Sequence, residues 1–232
     1  MLVKDRGQQA WQGLSSVAPL RFRRYESSSH RDPLDHYAMY LWNLALSRDI
    51  YASIQALEVV LRSRIHQEMS RRYSNDFWFE DQSLMGRHEL RAISDLRSSR
   101  RNITLSSSAD QIVASLPFNY WVAIYGSNYT SDVHNQISAS VFPHRKARLR
   151  RGDIAHKLGR IRKLRNRVAH HECICDIPTL QETYGFITDL LGDISPDYAA
   201  LEARTSRFMR TFRRGSAPYR LYAALRIRFD SY

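Results

Sequence analysis

Acidic residues are in short supply in this chain. Its 232 residues carry 23 Asp and Glu against 35 Lys and Arg, giving a net charge of +12 and a pI near 10.0. An excess of that size turns attention to nucleic acid, acidic protein or acidic lipid as partners. Long apolar runs are missing as well. The best stretch, Ile112 to Tyr125, is interrupted by Ser115, Pro117 and Asn119, so it falls short of the roughly 20 apolar residues that span a membrane. The N-terminus has no apolar signal core, and the expected location is the cytoplasm with no membrane partner. Strand-like alternation and internal repeats are absent, which leaves an all-α fold. With only nine glycines and 43% hydrophobic residues, the chain reads as globular and mostly ordered, long enough for one good core and an appended subdomain.

Cysteine is nearly absent. The two that occur, Cys173 and Cys175, sit too close for a comfortable disulfide inside regular structure. His170, His171 and Glu172 precede them, which raises the question of metal. A zinc site takes four ligands, usually from two separated pairs, and the sequence offers no second cysteine pair. The pair reads as reduced thiols, and neither a metal nor a cofactor is expected.

The positive charge is clustered. Between His144 and Arg167 stand eleven Lys and Arg against one acid, Asp153. A second basic block runs from Arg204 to Arg228. Such runs ordinarily form a solvated helix face. Their position on one helix with the residues described next favours RNA or DNA, and the expected RNA-binding residues are Arg148, Arg151, Arg160, Arg162, Lys163 and Arg167.

That helix is Ile154 to Glu172. Its apolar positions are Ile154, Leu158, Ile161 and then Val168, with one turn missing and Arg165 standing in the gap. An arginine on a buried line is costly unless something polar or anionic meets it. Beside an apolar stripe an arginine ordinarily snorkels to water, and a histidine near a helix end often serves the last carbonyls. Here Arg165, Asn166, His170 and His171 fall within a turn and a half, with Asn166 one helical step from His170. That grouping suits a phosphate.

The run Leu164 to Glu172 resembles the Arg, four-to-six-residue, His signature of the HEPN superfamily. The Asn after the Arg and the double His resemble its Abi-like (AbiD/AbiF-type, abortive-infection) branch. Three more blocks carry the likeness in order: Tyr40-Leu41-Trp42-Asn43 with Leu57 to Arg62, Leu116 to Val122, and Phe142-Pro143 before the motif helix. Branch members commonly follow the double His with Glu-Pro, whereas here Glu172 precedes Cys173. A related group carries Tyr two residues after the His as a modification target. This chain has Glu172 there.

The resemblance implies a HEPN-type helical bundle with a basic C-terminal helical extension, acting as a metal-independent endoribonuclease. It also implies a homodimer with the site at the dimer interface, restrained by an antitoxin protein or a structured RNA. The residues suit such a reaction: the RNA 2′-OH is the nucleophile, a histidine moves protons near neutral pH, and an arginine holds the phosphorane. Arg165 is expected to stabilise the phosphate, His170 to act as general acid and base, and Asn166 to orient either. His171 is auxiliary and more suited to packing. Glu58 and Arg62, one helical step apart, form an ordinary surface pair by spacing alone, and the resemblance would turn them toward the cleft. The alternatives are a non-catalytic RNA-binding HEPN module and an interaction protein with a basic face.

The remaining chain divides by its punctuation. Residues 1–32 are expected to be loosely ordered, 33–192 to form the HEPN-like domain, and 193–232 the basic extension. Helices are expected from Pro33 to Leu46, from Asp49 as cap to residue 73, over 84–99, 109–115 and 129–139, from the Thr179 to Glu182 capping box to Leu191, from Ser195-Pro196 to Arg213, and over 219–228.

Overall fold

The structure, a computed structural model, describes residues 3–26, 32–99, 108–126, 137–145 and 150–229. All regular elements among them are helical: α1 (Val3–Val17), α2 (Pro19–Glu26), α3 (Pro33–Tyr73), α4 (Arg87–Ser99), α5 (Ala109–Ser115), α6 (Phe118–Ala123), α7 (Arg151–Ala169), α8 (Leu180–Ile194), α9 (Pro196–Thr205), α10 (Phe208–Arg214) and α11 (Ala217–Phe229). A 3-10 turn covers Trp78–Glu80, and residues 137–141 are helical. The all-α reading stands. No helix among the described residues is long and apolar enough to cross a membrane.

The break expected at Asp49 is not there. Between Pro33 and Tyr73 no glycine or proline interrupts the helical ladder, so α3 runs unbroken for 41 residues. Asp49 is a buried acceptor instead of a cap, taking the Thr211 hydroxyl at 2.5 Å and Arg48 Nε at 2.9 Å. The helix ends where Ser74 adopts φ 48° and Asn75 N donates back to Ser70 O at 3.2 Å.

The chain forms two compact units, each assembled from separate stretches. One comprises Met1–Ala52, Leu164–Glu182 and Thr205–Tyr232. The other comprises Ser53–Lys163 and Thr183–Arg204. The boundaries of these units differ from the expected consecutive ones at residues 32 and 192, and α3 and α7 each contribute to both units. The expected C-terminal extension also splits: α9 lies in the second unit, while α10 and α11 lie in the first.

In the first unit the described residues of the N-terminal segment form α1 and α2. Pro19 starts α2 at the first helical position, where its missing N–H costs nothing. The two helices then bury Trp11 (4% exposed), Phe22 and Tyr25 together with Cys173. The rings of Trp11 and Phe22 meet edge-to-face at 5.3 Å, and Trp11 Nε1 donates to Glu26 Oε1 at 2.9 Å. A buried aromatic of this size contributes about 2–3 kcal/mol, and three of them meet in this cluster. Elsewhere in the unit, Trp42 Nε1 donates to Thr211 O at 3.0 Å, and Arg220 bridges Asp32 and Asp35.

In the second unit the apolar line of α3 is as its spacing predicts: Ile54, Leu57, Leu61, Ile65 and Met69 are all fully buried. Trp78 and Phe79 are sealed in the core, with Trp78 6.5 Å from Trp121. Ser108 and Gln111 form a reciprocal capping box that starts α5. Glu202 is buried, and its carboxylate takes Ser53 Oγ at 2.6 Å and the Tyr184 phenol at 3.0 Å. The helix expected to reach Arg213 stops at Thr205. Ser206 Oγ accepts from Phe208 N at 3.4 Å, diverting the backbone before α10. The helix expected over 129–139 lies partly outside the described residues.

Candidate active site

α7 carries the motif, and its buried stripe differs from the one expected. Leu164 fills the turn between Ile161 and Val168 and is 3% exposed, while Arg165 beside it is half-buried. Steps of three and four residues both return to the same helix face. The side chain without a desolvation cost takes the inner position and the guanidinium stays near water. Arg165 therefore does not replace a core residue. It makes no hydrogen bond or ion pair with the described residues.

The helix ends in a tight reversal. Glu172 N donates to Arg167 O at 2.8 Å and His171 N to Val168 O at 3.0 Å, with His171 at φ 56°. These are the paired bonds of a Schellman ending with a histidine in the left-handed position that glycine usually occupies. His171 thus shapes the backbone, and its side chain is exposed. His170 N donates to Asn166 O at 2.9 Å, so the link between those two motif residues is a rung of the helical ladder.

Four side chains secure the reversal and the segment after it from within the first unit. Arg21 donates to His171 O at 2.7 Å and to His170 O at 3.4 Å. Asn43 Oδ1 accepts from Ile174 N at 2.7 Å and Cys175 N at 3.2 Å, and its amide nitrogen is 3.5 Å from Glu172 O. Arg167 donates to the Cys173 carbonyl and to Asp176 Oδ1 at 3.2 Å. Its buried Nε lies 3.4 Å from Glu172 Oε2, close enough for charge attraction without the geometry of a hydrogen bond. Arg24 donates to Asp176 at 2.6 Å, and that carboxylate makes the Arg24 guanidinium hold its proton even more firmly than usual.

A cavity of about 580 Å³ opens beside this reversal. Pro19, Leu20, Arg21 and Arg24 wall it on one side, and Arg167, His170, His171 and Cys173 wall it on the other. His170 is solvent-exposed there, within reach of water or a ligand.

Of the residues anticipated from sequence, His170, His171 and Arg167 line this cavity; Arg165 and Asn166 do not. Arg167 is engaged in holding the turn, which removes it from a free RNA-binding surface. Arg162 and Lys163 are exposed on α7. Arg160 is half-buried, 5.9 Å from the Phe186 ring and 3.3 Å from Thr183 Oγ1. Glu58 is half-buried and Arg62 donates to Ala114 O at 3.1 Å, both within the second unit. Arg148 lies outside the described residues, as does the side chain of Arg151. Among the described residues no three His, Cys, Asp or Glu side chains gather closely enough to hold a metal ion.

Sequence reading missed Arg21, Arg24 and Asn43. Asn43 stood in the Tyr40-Leu41-Trp42-Asn43 block of the resemblance with no role assigned to it, and the signal for Arg21 and Arg24 was the density of arginine around Phe22. No family model, curated protein or solved structure matches this chain.

Proposed function

We propose that the protein is a metal-independent endoribonuclease of HEPN, Abi-like type, an effector that halts growth during phage attack in the cytoplasm. The observation that carries the reading is His170, exposed at the end of α7 on the wall of a cavity flanked by the Arg21 and Arg24 guanidinium groups. In this reading His170 takes the proton from the RNA 2′-OH and returns one to the departing 5′ oxygen. The pentavalent phosphorus gathers negative charge that a guanidinium neutralises. Arg165 has no partner among the described residues and stands outside the cavity, so its contribution belongs to a homodimer in which two motif turns share one cleft. Asn166 supports the orientation of the motif, and exposed Arg162 and Lys163 with the +12 net charge draw in the RNA backbone. An antitoxin protein or structured RNA would restrain the enzyme.

The separation of Arg165 from the cavity favours a second reading, an RNA-binding HEPN module without catalysis. One experiment distinguishes the two. Purified protein with total RNA in EDTA is expected to yield fragments ending in 2′,3′-cyclic phosphate and 5′-OH. Arg165→Ala and His170→Ala should abolish cleavage while salt-sensitive RNA binding persists. Binding with no cleavage by wild type would establish the second reading, and cleavage untouched by either substitution would remove the motif from the reaction.

A further inference from the structure

Cys173 and Cys175 directly follow the motif turn, and they are the protein's only cysteines. Both are free thiols, and their sulfur atoms meet at 3.3 Å. Cys173 is 6% exposed; it is among the residues that wall the cavity and belongs to the buried cluster with Trp11, Phe22 and Tyr25. The convergence is built by the surrounding backbone. Asn43 Oδ1 holds the amides of Ile174 and Cys175, and Arg167 holds the Cys173 carbonyl. The two side chains are thereby turned to one side of a pinned segment.

The local chemistry makes the sulfurs unequal. Either thiol can donate across this contact; with Cys175 as the donor, Cys173 is drawn below the ordinary thiol range against the opposing effect of burial. The same hydrogen bond, reinforced by burial, holds the proton on Cys175. Thiolate character is what makes a cysteine a nucleophile toward peroxide, and an adjacent protonated thiol is placed to resolve the product.

We propose that Cys173 and Cys175 are a redox modification site: a hydroperoxide entering the cavity is reduced at Cys173, and the pair closes into an intramolecular disulfide. In the first step the Cys173 thiolate attacks one peroxide oxygen, an S–O bond forms and the O–O bond breaks. The departing hydroxide takes a proton and leaves as water, with Cys173 as sulfenic acid. In the second step the Cys175 sulfur attacks the Cys173 sulfur, the S–S bond forms and the S–O bond breaks. The hydroxyl leaves as a second water with the proton released by Cys175. Two thiols and one hydrogen peroxide thus become one disulfide and two waters, with two electrons passing to the peroxide. An approach of about an ångström brings the sulfurs from contact to bonding distance. Cys173 shares its cavity with His170, but oxidation of the thiol pair needs no RNA.

The test uses the full-length reduced protein, hydrogen peroxide, thiol alkylation and intact-mass measurement. Wild type is expected to lose both alkylatable thiols together, with the mass falling by two hydrogens in a single chain, and a dithiol reductant should restore them. Cys175→Ser should stop at a sulfenic acid on Cys173 that dimedone captures. Cys173→Ser should keep Cys175 alkylatable under the same treatment. Wild type retaining both thiols at peroxide levels that oxidise unfolded protein would overturn the proposal. So would a disulfide formed only between chains. Because wild type alone gives either result, the proposal stays decidable even if a serine variant fails to fold.

Discussion

Arg21 donates to the carbonyl oxygen of His171 at 2.7 Å from a position 150 residues earlier in the chain. The contact sets a positive charge against the last carbonyls of α7, where the helix dipole is negative. Arg21 is exposed, so water competes for the same carbonyls and the benefit is modest. Arg21→Ala is expected to lower unfolding free energy by about 1 kcal/mol, read as a shift in the urea midpoint without a change in slope. Arg21→Lys should restore part of it, because the charge remains and the two-carbonyl fork does not. A midpoint identical to wild type for Arg21→Ala would mean the contact adds nothing to the turn.

How much of this was legible in the sequence varies with what decides each feature. Where burial decides, spacing suffices: the α3 line from Ile54 to Met69 reads directly from its repeat. Spacing cannot choose between neighbours on the same face, which is why it put Arg165 in the position that Leu164 holds. Proline and serine punctuation suggested consecutive domains, whereas α3 and α7 each belong to two units because nothing in their sequences interrupts the helix. The clamp on the motif turn was invisible for a different reason. Arg21 and Asn43 act on backbone atoms far along the chain, and a backbone acceptor or donor leaves no residue signature. Of the two motif residues singled out from the sequence, His170 lies on the cavity wall and Arg165 lies away from it.

His171 supplies a second prediction. A non-glycine residue at φ 56° bears a steric cost of about 1 kcal/mol that glycine avoids. The bonds that close the reversal, and the one from Arg21, all use the backbone of residue 171 or its neighbours, so a side-chain deletion leaves them in place. His171→Gly is expected to raise stability by about 0.5–1 kcal/mol after the loss of backbone freedom is counted. Calorimetry would show this as a melting temperature about 1–4 °C higher for a chain of this size. A lower melting temperature would mean the imidazole itself holds the turn.

Asn43 presents the opposite case, a side chain with no substitute. Its carbonyl oxygen is the acceptor for the buried amide of Ile174 and for that of Cys175. Asn43→Ala strands both donors away from water, and each stranded group costs on the order of 1–3 kcal/mol. The variant is expected to lose about 2–4 kcal/mol and to expose the amides of residues 174 and 175 to hydrogen exchange before the core of the second unit opens. Unchanged exchange at those two amides in a folded Asn43→Ala protein would show that another acceptor replaces it.

A proton on His66 is poorly accommodated, and stability should therefore depend on pH. Trp78 Nε1 donates to His66 Nδ1 at 3.0 Å, so Nδ1 must be bare and the ring proton sits on Nε2, 3.6 Å from Asp110 Oδ1. Charging the ring would place two N–H groups against each other at Trp78. Burial lowers the His66 pKa below its ordinary 6.5, and the carboxylates of Asp110 and Asp76 oppose that shift without cancelling it. Because the folded state binds this proton more weakly than the unfolded chain does, the stabilisation is complete above pH 6.5 and declines as pH falls through the lowered folded value. Urea unfolding between pH ~8 and ~5 should show wild type losing stability relative to His66→Asn, whose amide oxygen can accept from Trp78 but does not titrate. If the two proteins follow parallel curves over that range, His66 is not the group that sets the dependence.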